Sequence, residues 1–276
     1  ISRLVRIIRV TLAFSRKNRL TSMGFNCRTG TMSQQTALIT GGAKRIGAAI
    51  ARTLAQEGIN LILHYRSSQA EVEQLAEELS ALPISVDIVA ADLLQRDSVE
   101  AMIETVKAKT PQLDILINNA SMFNKESLFA LSPENLWDNI QVHALHPFLL
   151  TKAFFSKESS HGNVINFLDT RIYGYDHEHV PYHLSKKMLH SFTKMLAFEL
   201  APNVRVNAIA PGPILPPVNA EGDERVQAVI AKTPLGRFGD PRNITQTVLF
   251  YLKNDFITGQ VICVDGGFHL GENFYV

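Results

Sequence analysis

Seven short apolar runs alternate with stretches of helical periodicity between residues 36 and 264, and this alternation limits the fold more than any other feature. The runs are residues 36–40 (TALIT), 60–65 (NLILHY), 86–90, 114–117, 162–168, 204–209 and 260–264. Short runs rich in Val, Ile and Leu, flanked by Gly, Pro, Asn or Ser, read as strands buried on both faces. Between them apolar residues recur three and four apart. Examples are Ile46, Ile50 and Leu54, the spans near 70–82, 99–109, 136–155 and 244–253, and the stripe Leu184, Met188, Phe192, Met195 and Leu196. Strands joined through helices run parallel, and their crossovers cover both faces of the sheet. The expected fold is therefore α/β: one doubly wound, Rossmann-like parallel sheet in a single domain over residues 32–276. Residues 214–240 are irregular and polar, with one short helical candidate near 225–231, and read as a loop that caps the substrate.

The charge is unevenly spread. Residues 1–31 hold seven of the 27 Lys and Arg residues and no acid, leaving 20 basic against 26 acidic residues in the remainder. A body with net charge −6 gives no electrostatic reason to bind nucleic acid. The leader places Arg3, Arg6 and Arg9 on one side of a helix, but is too short and charged to span a bilayer. It reads either as an organelle transit peptide or as upstream sequence before a start at Met32, and is kept outside the fold. Two cysteines without metal-type spacing, Cys27 and Cys263, fit a reducing cytoplasm, with Cys263 inert in the last strand.

The first run ends in Gly41-Gly42 and is followed by a helix from Ile46. Strand, glycine turn and helix N-terminus together aim backbone N–H groups at phosphate, although the spacing departs from the ordinary Gly-x-Gly-x-x-Gly pattern. The second strand ends in Tyr65, Arg66, Ser67 and Ser68, with no acid before Glu71. An enzyme that uses NAD usually places an acid about 20 residues past the glycines for the ribose 2′-OH. A guanidinium and hydroxyls suit a 2′-phosphate instead, which favours NADPH, while Ser67 or Ser68 as a plain helix cap is compatible with that role.

The stretch DTRIYGYDHEHVPYHLSK carries the chemistry, with Asp169, Tyr182 and Lys186 in order. Tyr182 and Lys186 are four apart and share a helix face. A cation beside a phenol lowers its pKa from about 10 toward neutrality, which suits a general acid. His177, His179 and His183 crowd the same stretch, but Pro181 interrupts the helix that would align them on a metal.

Taken together, the motifs resemble those of the short-chain dehydrogenase/reductase family over residues 34–270. The likeness rests on Thr40-Gly41 with Arg45-Ile46-Gly47, Asp92 after the third strand, Asn118-Asn119-Ala120-Ser121, Tyr182 with Lys186, Pro211-Gly212, and Thr258-Gly259 before Asp265-Gly266-Gly267. By that resemblance Gly41 and Gly47 bracket the pyrophosphate, joined by Arg45 and Ile46. Asp92 bonds the adenine edge, and Tyr65 lies with Arg66 and Ser67 at the 2′-phosphate. Asn119, Ala120 and Ser121 line the cofactor, Pro211, Gly212 and Ile214 border the nicotinamide, and Lys186 also bonds the nicotinamide ribose. The family usually forms homotetramers.

Three departures narrow the likeness. The family usually has glycine at Arg45, serine at Asp169 and asparagine at His143. Arg45 and Asp169 are shared with the pteridine reductase branch, and the chain is most similar to its bacterial members, including dihydromonapterin reductases. Phe123 falls where that branch stacks an aromatic ring on the pterin, although packing of its own loop is the alternative. A pterin presents donors that a carboxyl can bond, and its flat ring stacks on an aromatic for about 0.5–1.5 kcal/mol. The expected substrate-binding set is Arg45, Phe123, Asp169 and Tyr182. The expected activity is NADPH-dependent reduction of a dihydropterin of the biopterin, monapterin or folate type. Rivals are a carbonyl reductase for ketoacyl thioesters and a non-catalytic nucleotide-binding relative. His143 reads either as a satisfied core histidine or as a water relay.

Overall fold

The computed structural model describes residues 35–156, 160–216 and 224–271, so the basic leader falls outside the described residues. Seven strands form one parallel sheet: β1 (Thr36–Ile39), β2 (Asn60–Tyr65), β3 (Val86–Ala90), β4 (Ile115–Asn118), β5 (Gly162–Phe167), β6 (Val204–Pro211) and β7 (Val261–Val264). Their spatial order is β3-β2-β1-β4-β5-β6-β7. The chain moves outward from β1 to β3, then returns to place β4 beside β1. The two crossovers flanking this reversal leave in opposite directions, which opens a crevice at the carboxyl ends of β1 and β4. Register is continuous there, with Ile39 opposite both Leu63 and Ile117.

Side chains alternate between the two faces of each strand. Ile39, Leu63, Ile117 and Ile165 point to one face, under α1 (Arg45–Gln56), α2 (Gln69–Leu79) and α8 (Pro241–Lys253). Leu38, Ile62, Leu116 and Val164 point to the other, under α3 (Arg96–Lys109), α5 (His146–Phe155) and α6 (Val180–Glu199). The doubly wound architecture is as expected.

Two local features go beyond what periodicity gives. The helix expected across 136–155 is split into α4 (Pro133–Ile140) and α5 by a π-helical turn at Gln141–Leu145. Pro147 has no N–H for the carbonyl four residues back, and the turn is spanned by a bond from the His146 N–H to Gln141 O. The α6 stripe also faces largely outward, with Leu184, Met188 and Met195 exposed and Phe192 partly buried. The inward face carries Tyr182, Ser185, Lys186, Leu189, Thr193, Leu196 and Ala197. Apolar periodicity located the helix without giving its orientation, because polar site residues occupy the inside. The helical candidate near 225–231 is α7 (Glu224–Lys232).

Close packing at the crevice falls on Gly47. A Cβ there would lie 2.1 Å from Gly41 O and 2.9 Å from Asn119 Nδ2, contacts that a side chain cannot make. The substitution Gly47→Ala should therefore cost about 1–3 kcal/mol, the usual scale of overpacking. Urea unfolding of the full chain measures this, and an unchanged midpoint would show that the turn relaxes without strain.

Candidate active site

The glycine turn is hung from its neighbours. Gly41 (φ 64°) donates its N–H to His64 Nδ1 at 3.1 Å, and Gly42 donates to the His64 carbonyl at 2.9 Å. Thr40 Oγ1 accepts from the N–H groups of Asn119 and Ala120, and Asn119 Nδ2 bonds the carbonyls of Thr40 and Gly41 at 3.0 Å each. The N–H groups of Gly41 and Gly42 are thus directed into the protein. The donors left for an anion belong to the first turn of α1, Arg45 to Gly47, since Ala48 makes the first intrahelical bond, to Lys44. Arg45 stands where the resembling family has glycine, and it keeps a glycine-like backbone with φ 51°. Its exposed side chain leaves the helix in a direction an α-helical residue does not take.

At the end of β2, Arg66 and Ser67 are exposed and Tyr65 is partly buried. The nearest following acid, Glu71, is paired with Lys44 at 2.5 Å. Ser68 occupies the N-cap of α2 without a side-chain capping bond, so the helix-cap role is not made. Asp92 is half-buried, with Oδ1 accepting from the Leu94 N–H at 3.0 Å. On the opposite side Gly212 packs so closely on Asp265 that a Cβ would lie 2.3 Å from the Asp265 Cβ. The Ile214 side chain is buried in the core, so only its backbone can face a ligand.

The catalytic candidates converge below the crevice. Tyr182 Oη donates to Asp169 Oδ2 at 2.9 Å, joining the start of α6 to the end of β5. Asp169 Oδ1 accepts the Arg171 N–H at 2.8 Å and lies 3.7 Å from the Arg171 guanidinium. Lys186 is buried, donates to the Phe167 carbonyl at 2.7 Å, and lies 5.6 Å from the centre of the Tyr182 ring. His143 packs edge-on to the same ring at 5.1 Å. Its Nε2 accepts from the Met122 N–H, so Nδ1 carries the proton and donates to Ser185 Oγ at 2.8 Å. With Ser121 Oγ also 3.0 Å from Nε2, both ring nitrogens are engaged, as in a satisfied core histidine.

Phe123 is held by a network that the sequence did not reveal. His179 stacks on it at 4.0 Å, the Arg171 guanidinium lies 4.9 Å from its centre, and Tyr182 meets it at right angles at 4.8 Å. Arg171 and His179 touch at 3.4 Å, so they share one side of the ring, whose surface remains 49% exposed. Both bond the buried Asp176, Arg171 through Nη1 and His179 through Nδ1 at 3.0 Å. An isolated bridge between Glu126 and His179 ties the Phe123 loop to the start of α6, with Glu126 N bonded to Glu178 O and Val180 N to Glu126 O. The signal in the sequence was an Asp three residues before a His at a helix start, a spacing that suits a local Asx bond as well as a metal. His179 is committed to Asp176 and Phe123.

Comparison with known proteins places the chain. Residues 41–269 match the family model described as enoyl-(acyl carrier protein) reductase. The chain is 34% identical over 241 residues to the 3-oxoacyl-[acyl-carrier-protein] reductase FabG of Thermotoga maritima, covering 84% of this chain and 97% of that one. Among solved structures it is similar to FolM alternative dihydrofolate reductase 1 from Brucella canis, complexed with NADP. The TM-score is 0.80 with 34% identity, over 87% of this chain and 96% of that one. A blue fluorescent protein from a metagenomic library, in complex with NADPH, matches with TM-score 0.80 and 28% identity, over 86% and 99% of the two chains.

Burial dominates the electrostatics. It lowers the Lys186 pKa to about 8, with the Asp169 charge opposing. It raises that of Asp169, against Arg171, Tyr182 and Lys186, which all favour the carboxylate. It lowers His143 well below the ordinary value, helped by Lys186, and lowers His64 against the bond to Ala91. A lysine whose folded pKa lies below its unfolded value binds fewer protons folded than unfolded from about pH 8 to about 10.5, so its contribution to stability rises with pH across that window. The difference in unfolding free energy between the native chain and Lys186→Met should shift toward the native chain by on the order of 1–3 kcal/mol from pH 8 to 10. Urea unfolding of both at each pH reads it, and a constant difference would show that Lys186 is not buried as a cation.

Proposed function

We propose, from the premise that this chain belongs to the short-chain dehydrogenase/reductase family, that it is an NADPH-dependent reductase of dihydropterins. The cofactor fits the residues present: a glycine turn without room for a Cβ, the free N–H groups of α1, and Arg66 with Ser67 beyond β2. The NADP and NADPH complexes of similar structures support the same cofactor. When bound, NADPH supplies the hydride. The chain holds the adenine edge with Asp92, the phosphates with Arg45 to Gly47 and with Arg66, and the nicotinamide end with Lys186, Pro211, Gly212 and the Ile214 backbone. Asn119 and Ala120 brace the turn, and Ser121 lines the cleft.

The observation that carries the pterin reading is the bond from the Tyr182 hydroxyl to Asp169 Oδ2. A carboxylate at that place accepts hydrogen bonds, and an aminopyrimidinone edge supplies donors for it. A ketone offers none, and the carboxylate would repel the alkoxide formed from it. Asp169 and Arg45 then hold the pterin edges, Phe123 stacks on the ring, and Tyr182 passes a proton to the ring nitrogen next to the carbon being reduced. Lys186 favours the phenolate left behind, and Asp169 shares in proton delivery by taking up a proton from solvent and relaying it to Tyr182 through their hydrogen bond. The likeness to a FolM alternative dihydrofolate reductase supports a folate-type or related pterin. The likeness to FabG favours a second reading, reduction of a 3-oxoacyl thioester.

The reductase domain is taken as residues 32–276, in the cytoplasm, and 214–240 as its substrate loop, of which 217–223 lie outside the described residues. No helix among the described residues is long and apolar enough to cross a membrane. Exposed Trp137, Leu184, Met188 and Met195 on α4 and α6 support a contact between copies, and the homotetramer is proposed from the family's usual state.

NADPH oxidation with dihydrobiopterin, dihydromonapterin and dihydrofolate, against acetoacetyl thioesters, separates the two readings. Turnover with the thioesters alone would discard the pterin assignment. In the active assay Tyr182→Phe should lose at least about a hundredfold in kcat with NADPH binding nearly intact, the scale of general-acid loss. Full turnover by that variant would remove Tyr182 from the chemistry.

A further inference from the structure

His64 ends the apolar run Leu61–Leu63 inside a central strand, and it is only 2% exposed. A buried imidazole in a central strand needs partners for both nitrogens. It has them in two different segments: Nδ1 accepts from the Gly41 N–H at 3.1 Å, and Nε2 donates to the Ala91 carbonyl at 3.0 Å. Ala91 immediately precedes Asp92, and its own N–H bonds the Tyr65 carbonyl at 3.0 Å. The ring therefore joins the glycine turn, beside the phosphate site, to the loop that carries Asp92 at the adenine end. The backbone of the same residue takes the Gly42 N–H.

We infer that His64 is a positioning residue for the dinucleotide, fixing the glycine turn through Gly41 so that the first turn of α1 meets the pyrophosphate. The inference rests on the NADPH reading and concerns binding of the cofactor, without touching the choice of substrate. Its physical basis is that Gly41 holds a left-handed conformation, φ 64°, in which its N–H points at the buried imidazole. Deprived of the imidazole acceptor, that N–H either stays unpaired or draws the turn out of the conformation that places the first turn of α1.

The test is titration of the full chain with NADPH, followed by calorimetry or by nicotinamide fluorescence. His64→Leu should weaken binding about tenfold or more, the scale of one lost buried acceptor. His64→Asn places an oxygen at the level of Nδ1 and should recover binding to within about threefold of the native chain. His64→Gln reaches Ala91 instead and should stay weak. A role limited to core packing lowers the melting temperature and leaves the order of the three dissociation constants unaffected. Native affinity in His64→Leu, or recovery by Gln and not by Asn, overturns the inference. Should His64→Leu fail to fold, the Asn and Gln pair decides alone. Absence of NADPH binding by the native chain would instead remove the cofactor reading on which all of this stands.

Discussion

The hydrogen bond between the Tyr182 hydroxyl and Asp169 determines how the rest of the cleft can be built. It needs the end of β5 and the first turn of α6 within bonding distance, and both are anchored independently. Lys186 ties α6 to the last residue of β5 through the Phe167 carbonyl. Arg171 fixes the Asp169 carboxyl through its backbone and is itself fixed by Asp176. Each of these groups is polar and at least partly removed from water. None would be stable there alone, and together they satisfy one another. The energetic consequence is a cleft floor that resists rearrangement, because displacing one member leaves another unpaired.

Much of this was visible in the chain itself. All seven strands were readable, since short apolar runs bounded by turn residues have few other interpretations in a chain of this length. Asp169, Tyr182 and Lys186 were readable as a set, and they do meet. The orientation of α6 was not, because apolar spacing assigns a face by counting Leu, Met and Phe. Here the inward face is bought by hydrogen bonds from Tyr182, Ser185 and Lys186. The π-helical turn escaped for a related reason: it changes the phase of a helix without changing which residues are apolar. His64 was overlooked inside NLILHY, although a histidine in a doubly buried strand is itself a sign of an obligatory partner.

Arg171, Asp176 and His179 show where reading by residue type fails. Three histidines within seven residues invite thoughts of a metal, yet His179 spends its polar atom on Asp176 and its face on Phe123. The relevant pairing is local, set by the turn leading into α6, and the aromatic contact is long-range. A linear motif contains the first and cannot contain the second.

The bridge between Glu126 and His179 has a mechanical implication. It fastens the segment bearing Phe123 to the helix bearing Tyr182, so the two sides of the cleft cannot part independently. Their edge-on contact, with ring centres 4.8 Å apart, is then a built-in dimension. Phe123 and Tyr182 therefore meet a ligand as one rigid corner rather than as two separately movable walls.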